Sequence, residues 1–145
     1  MTIWKTKTNV DKKQTILIIS QDTEMTAIWE TLFQQKNYHV VSETSAYSAI
    51  QTARLLCPAL IVLEFDLPHA ELVMLCKELR GTTQGTLLLL APKGNEQEIF
   101  EYYKAGVDER LTTPISPMAL FIKSMAWLVR QEWVVPRAKV SHTYV

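Results

Sequence analysis

The stretch PALIVLEFDLP, residues 58–68, decides how this chain is read. From Ala59 to Leu63 every residue is apolar, so both faces of an extended segment demand burial. That is the demand of a strand in a parallel sheet covered by helices, where neither side meets water. Glu64 ends the run, and Pro68 follows four residues later. Moving outward, similar runs lie at Thr15 to Ile19 and Thr86 to Leu90, with a weaker one at Arg110 to Thr112 and a short one at His39 to Ser42.

The segments between these runs have helical spacing. Thr23 to Lys36 sets Met25, Ile28, Trp29, Leu32 and Phe33 on one stripe. Ser45 to Leu56 turns Ala46, Ala49, Ile50, Ala53 and Leu56 inward, and Ala70 to Leu79 does the same with Leu72, Leu75, Cys76 and Leu79. Asn95 to Lys104 lies between Gly94 and Gly106, where a helix starts and stops. Met118 to Val129 carries Leu120, Phe121, Met125 and Leu128, and Ser116-Pro117 supplies its N-cap and first-turn proline. The order predicts β-α five times over: an α/β chain with a doubly wound parallel sheet and right-handed crossovers. Its site then lies beyond the carboxyl ends of the strands, at Ser20 to Asp22, Glu64 to Asp66, Ala91 to Lys93 and Thr112 to Pro114.

Composition agrees with one globular domain and narrows its partners. The 145 residues are 48% hydrophobic and 21% charged, with 4 Gly and 6 Pro, which excludes disordered and collagen-like classes. Fifteen basic and fifteen acidic residues give a formal net charge of zero, so no global field draws the chain to nucleic acid or an anionic membrane. The apolar runs are far shorter than the ~20 residues of a membrane span. Met1 to Gln14 is polar and lacks the core of a secretory signal. Residues 1–13 read as an N-terminal extension and 14–131 as the domain; 132–145, where the helical period is lost, reads as a tail or the start of a linker. Cys57 and Cys76 stand apart and are expected as two free, buried thiols of a cytoplasmic protein.

Three features together resemble the receiver domain of two-component response regulators over about residues 14 to 131. They are Ile16-Leu17-Ile18-Ile19 leading to a turn that ends in Asp22, the stretch Pro58 to Glu64 with Pro68 beyond it, and Ala105-Gly106-Val107-Asp108-Glu109-Arg110-Leu111-Thr112-Thr113-Pro114. The resemblance implies a flavodoxin-like (βα)5 fold with strand order 2-1-3-4-5. It also implies a site in which an Asp ending strand three accepts a phosphoryl group. Two acids after strand one hold Mg²⁺, and a Ser or Thr and a Lys engage the phosphoryl oxygens.

Carried over position by position, this chain departs from that pattern at each of those places. The acid pair falls on Ser20 and Gln21, beside Asp22; the acceptor falls on Glu64, the hydroxyl on Ala91 and the Lys on Thr113. The strand-five aromatic that reports switching falls on Arg110. Mg²⁺ favours a shell of hard oxygens that includes carboxylates, and phosphoryl transfer depends on electrostatic stabilisation of the equatorial oxygens. The expectation is therefore a degenerate receiver, or pseudo-receiver: not an enzyme, with no catalytic residue, no cofactor and Mg²⁺ binding lost.

Several positions carry two readings. Glu64 either mimics a phosphorylated acceptor or is a strand-end carboxylate, solvated or paired locally. Asp22, Glu64 and Asp66 either hold a hard cation weakly, or Asp22 caps the first helix and Asp66 shapes the loop before Pro68. The second reading is preferred at both places. His39, His69 and His142 share no zinc-ligand spacing, and Lys93-Gly94 belongs to no phosphate-cradling motif. The resemblance implies a partner and dimerisation surface on the face of the fourth helix, fifth strand and fifth helix, where Tyr102, Tyr103, Lys104, Asp108, Glu109, Arg110, Lys123 and Trp127 either meet a protein partner or a second copy in a homodimer, or form a solvated mixed-charge face. The expected role is signal transduction by protein contacts without phosphorylation, with any control of transcription, and any contact with DNA, made through a separate output domain and none with a membrane. Two alternatives stand beside it: a small polar ligand or ion in the altered pocket, and weak phosphoacceptor activity at Glu64 or Asp66.

Overall fold

The computed structural model describes the backbone of residues 13–144 and the side chains of residues 13–131; residues 1–12 of the N-terminal extension lie outside the described residues. Five strands alternate with five helices: β1 Thr15–Ser20, α1 Thr23–Gln35, β2 His39–Glu43, α2 Ala46–Leu56, β3 Leu60–Glu64, α3 His69–Arg80, β4 Thr86–Ala91, α4 Glu96–Ala105, β5 Glu109–Thr112 and α5 Pro117–Tyr144. All strand pairs are parallel, in the order β2-β1-β3-β4-β5. The expected strand–helix order and strand order are both present.

The uninterrupted apolar runs do what their pattern requires. Leu17, Ile19, Ile61, Leu63, Leu87 and Leu89 face α2, α3 and α4, while their neighbours Ile16, Ile18, Leu60, Val62, Leu88 and Leu90 face α1 and α5. Successive strand residues point to opposite sides of a sheet, so a run with no polar member is buried twice over. Burial of each such side chain stabilises the fold by roughly 1.5–3 kcal/mol. The second layer is joined across its helices by Phe33 and Phe121, whose rings lie 5.6 Å apart.

Helix ends follow local chemistry. Asp22, Ser45, Asn95 and Ser116 each accept a hydrogen bond from the backbone N–H three residues on. Each satisfies a donor that the first turn of a helix leaves free. At the other end of α4, Gly106 adopts φ 112°, in the left-handed region that favours glycine.

Three sequence expectations are corrected here. Ile28 is 45% exposed, and Thr26 is buried with Trp29 and Phe33 instead. The inward stripe of α1 is thus rotated toward Thr26 by its packing against α5 and the sheet. Cys57 is exposed, because it forms the left-handed C-cap of α2 (φ 45°) at the rim of the domain. Cys76 is buried as expected, and burial pushes its thiol up to about 12. The backbone of α5 runs on to Tyr144, past the end expected at Val129 and through most of the stretch read as a tail. Apolar periodicity marks where a helix touches a core, not where its hydrogen-bonded backbone ends.

At the amino-terminal end of the sheet, Arg80 ties α3 to the turn before β5. Its Nη1 donates to Asp108 Oδ2 at 2.9 Å and to the Gly106 carbonyl at 3.1 Å, and its Nη2 donates to the carbonyls of Thr83 and Gly85. Gly85 is buried there, and a Cβ on it would lie 2.3 Å from the Pro58 carbonyl oxygen. Gly85→Ala is therefore expected to lower the unfolding free energy by roughly 1–3 kcal/mol through backbone displacement, measured as a lower urea midpoint with little change in slope.

Candidate functional site

Sheet order creates the crevice. The chain passes from β2 on one side of β1 to β3 on the other, so the carboxyl ends of β1 and β3 open between diverging connections. In this register Ser20 is directly opposite Glu64, and across the neighbouring strands Ala91 is opposite Thr112. Four of the expected positions, Ser20, Glu64, Ala91 and Thr113, are thereby brought to one end of the sheet.

Ser20 is 3% exposed and lies at the centre of a short chain of hydrogen bonds. Its Oγ accepts from the Asp22 backbone N–H at 3.1 Å and donates to Glu64 Oε1 across a long 3.5 Å. Asp22 uses a carboxylate oxygen to cap α1, accepting from the Met25 N–H at 3.0 Å. Gln21 is exposed. Burial raises the Glu64 carboxyl above the ordinary carboxylate range; the Asp22 charge adds to the rise, and the Ser20 hydroxyl opposes it. Ala91 presents a buried methyl group, and the Thr113 N–H donates to its carbonyl at 3.0 Å. The Thr113-Pro114 peptide bond is cis.

Glu64 sits between two hollows. One, of about 500 Å³, is lined by Glu64, Asp66, Lys93, Arg110 and Thr113 among others; the second, of about 360 Å³, reaches Asp22, Trp29 and Ile115. Arg110 turns toward the first, its Nη2 donating to the Pro92 carbonyl, while its Nε is buried without a partner. Among the described residues no group of three His, Cys, Asp or Glu side chains is gathered as metal ligands. The donors around Glu64 fit Mg²⁺ poorly. Asp22 is engaged as a cap and Asp66 is exposed on the loop.

One cluster has no signal in the sequence, because its members are about 30 residues apart. His69, the first residue of α3, lies with Nδ1 3.0 Å from Tyr102 Oη and Nε2 2.5 Å from Glu101 Oε1. The His69 contact holds the Glu101 carboxyl below the usual range. It draws α4 against the start of α3 at the edge of the larger hollow.

The expected partner face is only partly a surface. Tyr102 is 7% exposed and belongs to the core; adjacent helical residues are about 100° apart, so Tyr103 alone of the pair faces outward. Asp108 accepts from the Leu87 N–H at 2.7 Å and pairs with Arg80, which makes it a fastening of β5 rather than a contact residue. Arg110 is turned to the crevice. Glu109 accepts from Trp127 Nε1 at 2.7 Å and pairs with Lys123 Nζ at 3.2 Å, joining β5 to α5. Lys104 lies over the Phe100 ring.

The fold and this strand-end crevice together define a receiver-type module, and comparison with known proteins agrees. The family model for the response regulator receiver domain matches residues 16–124, and the chain belongs to that family. It is 25% identical over 128 residues to the alkaline phosphatase synthesis transcriptional regulatory protein PhoP of Bacillus subtilis, covering 88% of this chain and 53% of that protein. It is 25% identical over 117 residues to the nisin biosynthesis regulatory protein NisR of Lactococcus lactis, covering 81% and 51%. The chain thus spans about half the length of these curated relatives. Among solved structures, a two-component response regulator from Clostridium difficile superposes with a TM-score of 0.73 at 24% identity, over 82% of this chain and 98% of that one. A CheY-like receiver domain protein from Methanospirillum hungatei superposes with a TM-score of 0.74 at 19% identity, over 83% and 98%. Both share the fold. No helix among the described residues is long and apolar enough to cross a membrane.

The raised Glu64 carboxyl has a thermodynamic consequence. Its folded form holds a proton more tightly than its unfolded form, so it favours folding in acid and loses that advantage as pH rises through the folded value. Glu64→Gln carries no such charge and is expected to be more stable than the wild type at pH 7, by less than about 1 kcal/mol because the group is partly solvated. The difference should vanish below the ordinary carboxylate range. Urea unfolding of both proteins at neutral and acid pH reads it directly.

Proposed function

We propose that this receiver domain signals through protein–protein contacts without accepting a phosphoryl group. One observation carries the reading: the acceptor position is a glutamate whose side-chain partner is the Ser20 hydroxyl, with the Ala91 methyl and Thr113 at the neighbouring strand ends. A phosphoryl group on that carboxylate would bring further negative charge to a place with neither a carboxylate pair to hold Mg²⁺ nor a Lys at the Thr113 position. Stabilisation of the equatorial oxygens, on which the transfer depends, is therefore missing. Glu64 is read as a strand-end carboxylate held by Ser20 rather than a phosphoryl mimic, since neither Ala91 nor Thr113 supplies the usual hydroxyl and Lys readers of such a charge.

The partner is a protein, or a second copy of the chain, at the face of α4, β5 and α5. Tyr103, Lys104, Lys123 and Trp127 are its accessible members. The similar proteins PhoP and NisR are regulatory proteins about twice as long as the matched region. This supports control of transcription through a separate output domain, to which any DNA contact belongs, in a cytoplasmic protein. Incubation with acetyl phosphate and Mg²⁺ followed by intact-mass measurement tests the reading. An unmodified mass is expected, and a stable phosphoryl adduct on Glu64 or Asp66 overturns it.

A second reading is favoured by the buried, unpartnered Nε of Arg110 in the lining of the 500 Å³ hollow. Together with Lys93 it suits a small polar ligand with an acceptor group. A thermal-shift screen with nucleotides and metal ions distinguishes the two: a rise in Tm that Arg110→Ala abolishes supports the ligand, and no shift leaves the interaction module.

A further inference from the structure

An open groove of about 430 Å³ runs between α2 and α3, on the side of the sheet away from α1 and α5. Its lining has Leu67 in common with the larger strand-end hollow and no residue of α4, β5 or α5. The deepest member is Leu75, 4% exposed; Ile50 and Leu67 are half-buried beside it, and Met74 stands 56% exposed. Ala46 and Ala70, near the starts of the two helices, add only a methyl each and leave that end open. Isolated apolar residues on a surface need no explanation, but apolar residues gathered into one groove mark a contact site.

The charge of the groove has one sign. Its two ionisable residues are Glu71 and Glu78, and the cations of the two helices, Arg54, Lys77 and Arg80, do not line it. Glu71, Met74, Leu75 and Glu78 follow one another at helical spacing, so they share one side of α3. Neither carboxylate has an ion-pair or hydrogen-bond partner among the described residues. Glu71 lies in the first turn, where the helix dipole favours an acid. Glu78 lies in the last turn, where the dipole opposes one. A cation from outside the chain offsets that cost.

Backbone chemistry selects the form of the occupant. The groove is built from side chains of two helices and a loop, and it offers no unpaired strand edge. An extended peptide pressed into it would lose water from N–H and C=O groups that find no partner there, whereas a helix arrives with its own already paired. From Ala70 to Glu78 the α3 wall is about 12 Å long at 1.5 Å per residue, the reach of anchors spaced i, i+3 or i+4, and i+7. The described cations of α5, Lys123 and Arg130, are engaged by Glu109 and by the Trp127 ring, which favours a separate partner over a second copy. We propose that the groove between α2 and α3 docks a basic amphipathic helix of a partner protein. Its apolar stripe rests on Ile50, Leu67 and Met74, and its Lys or Arg residues meet Glu71 and Glu78. The site is separate from the face of α4, β5 and α5, and it does not depend on the state of Glu64.

Titration of the ¹⁵N-labelled 145-residue chain with an amphipathic Leu–Lys peptide about 14 residues long tests the proposal by amide shifts. Shifts centred on Ile50, Leu67 and Met74 are expected, with a dissociation constant below about 1 mM. Glu71→Gln with Glu78→Gln should weaken binding by about 10-fold at low salt, and Met74→Asp should weaken it at least as much. Glu78→Lys should also weaken binding while Tm holds or rises, since a cation suits the last turn of α3. That split is not expected of a residue with a merely structural role, and it keeps the test decisive should Met74→Asp fold poorly. A Leu–Glu peptide of the same pattern that binds as tightly overturns the proposal, as does binding indifferent to the α3 variants. Shifts confined to Phe100 and Tyr103, or none at millimolar peptide, do so too. A dimer of the free chain that Met74→Asp dissociates would give the groove to a second copy, and contacts from residues 1–12 to Met74 would give it to the chain's own N-terminal segment; either result overturns the assignment to a partner.

Discussion

The pairing of β1 with β3, from Ile16 opposite Leu60 to Ser20 opposite Glu64, is the constraint on which the remaining structure depends. It joins two strands that are not consecutive in the chain, and the reversal of direction there opens the crevice. Every residue of the pair up to that end is buried, so the two strands form the centre of both apolar layers. A slip of one residue would exchange the two faces of each strand and separate Ser20 from Glu64. Core and site thus share one register.

Around that register the site is built from weak and local contacts. Ser20 links the turn after β1 to the end of β3, Asp22 turns its carboxylate back on α1, and Ala91 adds only a methyl. Cationic chemistry lies to one side, on Arg110 and Lys93, in a hollow that α4 borders with the His69, Glu101 and Tyr102 cluster. The scaffold keeps a receiver's shape while its strand ends carry different chemistry. Such a division is physically permissible because the stability comes from the double-sided burial of the sheet, to which the crevice residues contribute little.

Most of the readings that failed were readings of direction. Tyr102 and Tyr103 are adjacent and equivalent in a list of aromatics, but a 100° turn buries one and exposes the other. Asp108 looks like a surface charge, yet its carboxylate is the acceptor for the Leu87 N–H and for Arg80, 28 residues away. Ile28 belongs to the apolar stripe of α1 by spacing, and its exposure reflects how the helix is rolled against α5. The full length of α5 was hidden because its inward period ends before its backbone does.

What the amino-acid order determined alone was local: the kind of each element and its approximate start. The uninterrupted apolar runs specified strands covered on both faces, Asp22 and Ser116 marked helix starts, and Ser20, Glu64, Ala91 and Thr113 were placed at strand ends. The tertiary structure alone decided which separated groups meet: Ser20 with Glu64, His69 with Tyr102 and Glu101, Arg80 with Asp108. It also decided which face of each helix is left to solvent, including the groove between α2 and α3. Periodicity is a property of neighbours along the chain. Contact and burial depend on how whole elements roll and dock, and that is set by the packing of all of them at once.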